Sequence, residues 1–258
     1  MHTKKLIINA DDFGHTMGTS YGIIESHLRG VVKSTTAVAV SPWLMPSMAA
    51  AESLAPKLQV GIHLCLSLKG AKPVLPPSLV PSLVNEQGYF WGIKEVPQKA
   101  CPNEVRMEYE AQMLRFLDSG RRPTHIDSHH FIHGATPEIL QVTVDLARKY
   151  NLPLRRTLSR QPDFTAANLD IKTTCEIFVD FYDAGETMES LIKILDKIAD
   201  STKNVFELMC HPAYADFSQE NQNGYGEGRV RELAILTSDE AKAAIAERNI
   251  LLADFRCL

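Results

Sequence analysis

Apolar runs too short to be helices alternate along this chain with longer stretches whose apolar residues recur at helical spacing. Residues 6–10, 35–40 and 58–66 are the first three short runs, and the β-branched 35–40 run has the plainest strand character. A helix is predicted over 18–28. A second, over 105–117, carries Val105, Tyr109, Met113, Phe116 and Leu117 on one face, which should pack on a sheet. A strand follows at 124–128, and Thr136 before Pro137 supplies an N-cap and a first-turn proline for a helix reaching Lys149. Further strands are predicted at 152–156, 174–181, 205–210 and 250–255. Thr187 opens a helix with Met188, Leu191, Ile192, Leu195 and Ile198 on one side, and Thr237 with Glu240 forms a capping box for the last helix. Seven or eight mostly parallel strands with crossover helices, in one domain over 1–258, describe a (β/α) barrel-like fold; an open doubly wound sheet fits almost as well. Both architectures gather functional side chains at the carboxyl ends of the strands.

Four apolar runs carry polar residues there. The first ends in Asn9-Ala10-Asp11-Asp12-Phe13-Gly14, the third contains Gly61-Ile62-His63, the 124–128 run continues as His125-Ile126-Asp127-Ser128-His129-His130, and a late one ends in Met209-Cys210-His211-Pro212. Adjacent carboxylates after an apolar strand repel unless a positive group neutralises them, and a bound cation would do so. Taken alone, Asp11 and Asp12 read equally well as turn residues before Gly14. His63 alone reads better as a hydrogen-bonded core histidine, and His211 is equally weak in isolation. Four of the nine histidines fall between His125 and His133. As a strand, that segment puts His125, Asp127 and His129 on one face and turns His130 away; as a helix it would stack His125, His129 and His133. One carboxylate and two imidazoles with open positions form a recurring catalytic metal set.

Composition narrows the function. Lys plus Arg number 27 and Asp plus Glu 31, a formal charge of −4, and no basic block is present, so nucleic acid is an unsuitable partner. The N-terminus falls short of a signal peptide or a membrane span, which gives the expectation of a cytoplasmic protein with no membrane partner. The five cysteines are scattered without a C-x-x-C pair and read as reduced thiols. Cys65, two residues after His63, reads as a buried thiol in preference to a soft ligand.

The four motifs, in this order, resemble the signatures of the YdjC-like carbohydrate deacetylases, which include chitooligosaccharide deacetylase; the resemblance runs from residue 5 to about 215 and continues loosely to the C-terminus. It implies a (β/α)-barrel-like deacetylase fold, a homodimer, a divalent ion described as magnesium, and hydrolysis of acetyl groups from acetylated sugars. Position by position, Asp12, His63 and His129 match the metal ligands, Asp11 the general base and His211 the general acid. Arg155 resembles an arginine that orients the base. Asp127 and His125 are expected behind the ligands, fixing imidazole tautomers. Two imidazoles suit zinc or another transition ion better than magnesium, so the donor set leaves the metal open.

Residues 69–103 carry six prolines and the triplet Tyr89-Phe90-Trp91, within a loop insertion at about 67–104. Such a long connection is usually functional. One expectation is a flap that lays Trp91 against a sugar; the other is that Phe90 and Trp91 pin the loop to the barrel. The 214–229 loop offers Tyr225 and Arg229 as substrate contacts. Two rivals remain: another metal-dependent amide or phosphoester hydrolase on this scaffold, and a non-catalytic sugar-binding regulator.

Overall fold

A computed structural model describes residues 3–158, 171–216 and 225–258. Its strands are β1 (Lys5–Phe13), β2 (Ser34–Val38), β3 (Gln59–Leu64), β4 (Ile126–Ser128), β5 (Glu176–Phe178), β6 (Val205–Cys210) and β7 (Leu251–Ala253). The helices are α1 (Met17–Leu28), α2 (Leu44–Leu54), α3 (Val96–Lys99), α4 (Pro102–Leu117), α5 (Pro137–Tyr150), α6 (Met188–Asp200), α7 (Gly226–Thr237) and α8 (Asp239–Glu247).

The sheet runs β4-β3-β2-β1-β6-β5, and every pairing is parallel. β1 is its axis. β6 covers one flank of β1 from Lys5 to Ala10, while the other flank is shared by β7 at Lys5 to Ile7 and by β2 from Asn9 onward. Leu6, Ile7 and Ile8 are fully buried, as a strand packed on both faces requires. The sheet curls into a half-barrel with β4 and β5 at its edges. Leu154 extends the β4 edge: it forms a single parallel bridge with Ile126, and its N–H donates to the Lys172 carbonyl in the segment that leads to β5.

The helices close over the outside. Thr136 and Thr187 cap α5 and α6 through their side chains, as predicted. Four local expectations need correction. The 152–156 run makes only the Leu154 bridge, because Pro153 has no N–H to extend a ladder. The predicted strands 174–181 and 250–255 shrink to β5 and β7. The last helix is capped by Ser238, whose side chain accepts from Ala241 N–H, one residue beyond Thr237. α2 was not anticipated, because its Met- and Ala-rich sequence has little helical periodicity. Gly61 has a steric role: a Cβ there would lie 2.4 Å from the His125 ring, so β3 and β4 approach as they do only with glycine at this position.

The 67–104 segment is held by α4. Buried Glu108 accepts the N–H groups of Val74 and Leu75, and Glu104 accepts both the N–H and the hydroxyl of Ser82. Trp91 donates its indole N–H to the Ser82 carbonyl, and the Lys99 ammonium lies 3.5 Å from its ring centre. The tryptophan is thus held within the segment and packed against the core, and it is not among the residues that line the cavity described below. Among the described residues no helix is long and apolar enough to cross a membrane.

Candidate active site

At the carboxyl end of β1 two adjacent carboxylates face the same cavity, which a regular strand would forbid. The register between β1 and β2 shifts between Ala10 and Phe13, and Asp12 adopts a left-handed backbone with φ +70°. That local irregularity, followed by Gly14 at φ +78°, turns both side chains inward. Asp11 and Asp12 then go to different partners.

Asp11 receives a bidentate pair from Arg155 at 2.6 and 2.7 Å and a bond from Asn9 at 2.9 Å. Burial opposes its charge, but Arg155, with help from His63 and His211, holds its pKa down to about 2. Arg155 is fully buried and also binds Asp127 at 2.9 Å and Glu207 at 2.7 Å. Three carboxylates around one guanidinium make up the ion cluster beneath the site. Burial and the neighbouring Asp11 and Asp127 raise the Glu207 pKa to about 7 despite Arg155.

Asp12 Oδ1 lies 3.1 Å from His129 Nδ1 and 3.4 Å from His63 Nε2. Its other oxygen receives Arg229 at 2.6 Å. Burial works against its ionisation, yet Arg229, His129 and His63 hold its pKa well below the ordinary carboxylate range. His63 is oriented from behind: Asp127 Oδ1 sits 2.7 Å from its Nδ1, and Thr36 donates to the other Asp127 oxygen at 2.9 Å. Burial disfavours a charged His63 ring, but Asp127, Asp12 and Asp11 outweigh it and raise its pKa to about 10.

Two sets of possible ligands occur here. Asp12, His63 and His129 offer donor atoms all within 4.8 Å of one another, and so do Asp11, His63 and Asp127. The second set is already satisfied, since Arg155 binds both of its carboxylates. In the first, His129 Nδ1 and His63 Nε2 converge on one carboxylate oxygen, Asp12 Oδ1, while Arg229 engages only the other oxygen. An Asp-His-His set with free donor capacity suits a divalent cation.

The remaining expected residues are placed as follows. His211, at the end of β6, lines the same cavity with Met209 and Tyr225, a space of about 400 Å3. Burial and Arg229 lower its pKa to about 4, so its ring is neutral at rest. Tyr225 lines the cavity, and its hydroxyl donates to Glu232 at 2.8 Å. Arg229 also lines it, with Nη1 buried and unpartnered. His125 is elsewhere. Its ring stacks on Phe255 at 3.7 Å and its Nδ1 meets Thr124, so it fixes no ligand tautomer. Cys65 joins neither ligand set, and burial pushes its thiol pKa up to about 12. Of the 214–229 loop, residues 217–224 lie outside the described residues.

Several site residues carry no sequence signal strong enough to find them. His130 does not turn away: it lines the cavity, its ring tilted 3.9 Å from that of His129 and its Nδ1 3.0 Å from Ser67 Oγ. The strand ends at Ser128, and His130 and Phe131 both take left-handed φ near +56°, which breaks the period of two. Glu207 lies within β6, Glu232 on α7 and Tyr182 in the turn after β5, each without a motif. Only the position of Glu207, one apolar residue before Met209 on β6, offered a clue.

Fold and site together define a (β/α) half-barrel protein with a buried Asp-His-His cluster at the strand ends. The chain belongs to the YdjC-like protein family, whose profile matches residues 5–247. It is similar to a carbohydrate deacetylase of Enterococcus faecalis (strain ATCC 700802 / V583), 48% identical over 261 residues that cover 100% of this chain and 99% of the relative. A carbohydrate deacetylase of Geobacillus stearothermophilus is 40% identical over 256 residues, covering 97% and 96%. A crystal structure from Enterococcus faecalis V583, described as a candidate cellobiose-phosphate cleavage protein, matches with a TM-score of 0.96 at 48% identity, covering 99% of this chain and 98% of that one.

Proposed function

We propose that this chain is a metal-dependent carbohydrate deacetylase that hydrolyses the acetamido group of N-acetylated sugars such as chitooligosaccharides, releasing acetate during their degradation. The observation that carries the reading is the convergence of Asp12, His63 and His129 beside a second, separately paired carboxylate, Asp11. Relatives that share 48% and 40% identity over nearly the whole chain bear the name carbohydrate deacetylase.

In this reading Asp12, His63 and His129 would hold one divalent ion, which would polarise an acyl carbonyl and lower the pKa of water. Asp11 accepts the proton of the attacking water, and Arg155 fixes the carboxylate for that transfer. Arg155 favours the ionised form of Asp11, so Asp11 gives this proton up again, and it passes to His211. His211, neutral at rest, takes up a proton as negative charge develops on the substrate and gives it to the departing sugar nitrogen. The C–N bond breaks, leaving acetate and a free amine. Asp127 keeps His63 in one tautomer. Arg229 acts first as the charge partner of Asp12, and Tyr225 contributes to the cavity wall.

The family resemblance points to magnesium, and the two imidazoles to zinc or another transition ion. Resemblance also carries the homodimer, and the unpaired cysteines accord with a cytoplasmic setting. The chain acts as one domain over 1–258 with an insertion at 67–104. The test is metal analysis of the purified protein together with acetate release from N,N′-diacetylchitobiose, with and without a chelator. Stoichiometric metal and chelator-sensitive acetate release, with the disaccharide left intact, support the reading. Cleavage of the glycosidic bond, or release of phosphate but no acetate from a substrate panel, contradicts it.

A further inference from the structure

Trp91 is turned into its own loop, yet the cavity does present an exposed aromatic face. Tyr182, which follows β5, is 43% exposed and lines the cavity that holds Asp11, Asp12, His63 and His129. Its ring centre lies 5.1 Å from that of His211 and 4.4 Å from that of Tyr225. An exposed ring is ordinarily free to sample rotamers and tilt. Here the turn that bears it is stapled. Asp183 takes a left-handed backbone with φ +55°, and its N–H donates to the Tyr225 hydroxyl at 3.0 Å. That hydroxyl in turn donates to Glu232, whose other carboxylate oxygen accepts the His211 N–H. The Gly185 N–H closes the turn on the Tyr182 carbonyl at 2.9 Å, and a Cβ at Gly185 would lie 1.8 Å from the Asp180 carbonyl oxygen.

One fully buried carboxylate thus fixes the backbone of His211 and, through Tyr225, the turn that aims Tyr182. Holding an open aromatic face in place beside a polar centre is the arrangement that binds a ligand with an apolar surface of its own, since the ordering entropy is spent before the ligand arrives. The neighbour decides which part of the substrate meets it. In the deacetylase reading, on which this inference rests, His211 serves the leaving nitrogen, and that nitrogen belongs to the sugar. The ring beside His211 therefore faces the sugar and not the acetyl group. Ile93, 45% exposed, brings a second apolar surface to the same cavity from the 67–104 segment.

We propose that Tyr182 is the sugar-recognition platform of this site, its ring lying against the C–H face of the pyranose that carries the acetamido group, and that Tyr225 and Glu232 are positioning residues for it. The experiment compares wild type, Tyr182→Ala, Tyr182→Phe and Tyr225→Phe on N,N′-diacetylchitobiose, with thermal melts to confirm folding. Saturation-transfer NMR of the same disaccharide is recorded on Asp11→Asn and Asp11→Asn/Tyr182→Ala, where turnover does not interfere. Tyr182→Ala should raise KM on the order of tenfold while kcat stays within about threefold. Tyr182→Phe should resemble wild type, because the ring face is retained, and Tyr225→Phe should fall between. An unchanged KM in Tyr182→Ala, or an equal loss in Tyr182→Phe, overturns the platform while acetate release by the wild type leaves the deacetylase reading standing. If the wild type releases no acetate, that reading fails by itself and the NMR decides the platform: saturation of the sugar ring lost with Tyr182 supports it, and saturation unchanged refutes it.

Discussion

The two arginine–carboxylate pairs of the site sit in unlike surroundings. Arg155 and Asp11 belong to its floor, where strands β1, β4 and β6 supply three carboxylates to one wholly buried guanidinium. Arg229 and Asp12 join the floor to the wall: the arginine comes from α7, has one carboxylate partner, and keeps Nη1 unpartnered. A buried charge persists only where its hydrogen bonds and counter-charges are nearly complete, so the floor has little freedom to change. The wall, formed by α7 and the turn after β5, has spare hydrogen-bonding capacity and an exposed ring, Tyr182. The floor is built to set protonation states, and the wall to meet a substrate.

Removing a charge from the floor should have the largest consequences. Asp11→Asn should lower kcat by about 10²- to 10⁴-fold with metal content unchanged, since the base is lost and the proposed ligands are intact; a kcat near wild type would dissociate Asp11 from the chemistry. Arg155→Met leaves Asp11, Asp127 and Glu207 buried without their cation and should cost about 3–5 kcal/mol in urea unfolding. A loss below about 1 kcal/mol would mean that the cluster relaxes by protonation.

The wall should respond to pH. Burial raises the Glu232 pKa to about 8, against its bonds from His211 and Tyr225 and the nearby Arg229, and with Glu186 adding to the rise. A carboxyl that holds its proton more tightly when folded contributes full stability below its unfolded pKa of about 4.5 and loses it as pH rises through about 8. Unfolding free energy should therefore fall between pH 5 and pH 8, and Glu232→Gln should make that fall smaller; the same slope in both proteins would contradict the assignment. The smallest effect belongs to the insertion. Trp91→Ala should cost about 1–2 kcal/mol of stability, through the lost Lys99 contact and indole bond, and leave KM unchanged. A raised KM with no loss of stability would move the tryptophan from the loop to the substrate.

What could be read in advance follows the same division. Asp11, Asp12, His63, Asp127, His129 and His211 stand where short apolar runs stop, and parallel strands deliver such positions to one end whatever the exact curvature. Arg155 was within reach only through the family resemblance, since one arginine near the end of a short apolar run carries no signal of its own. His125 was misplaced for a reason of depth: period two gives it the face of Asp127, but one layer further down, against Phe255. His130 escaped because two left-handed residues end the strand pattern at Ser128. Glu232 accepts the His211 N–H and Tyr182 lies beside the His211 ring, and Tyr225 ties the two together through contacts between residues 42 and 7 positions apart that no local pattern encodes.

The central claim is that Asp12, His63 and His129 share one cation. An anomalous-difference map from crystals grown with Mn2+ tests it directly. The account predicts a single strong peak within bonding distance of those three side chains, absent in His63→Ala. A peak between Asp11 and Asp127, or none in contact with Asp12, would contradict it.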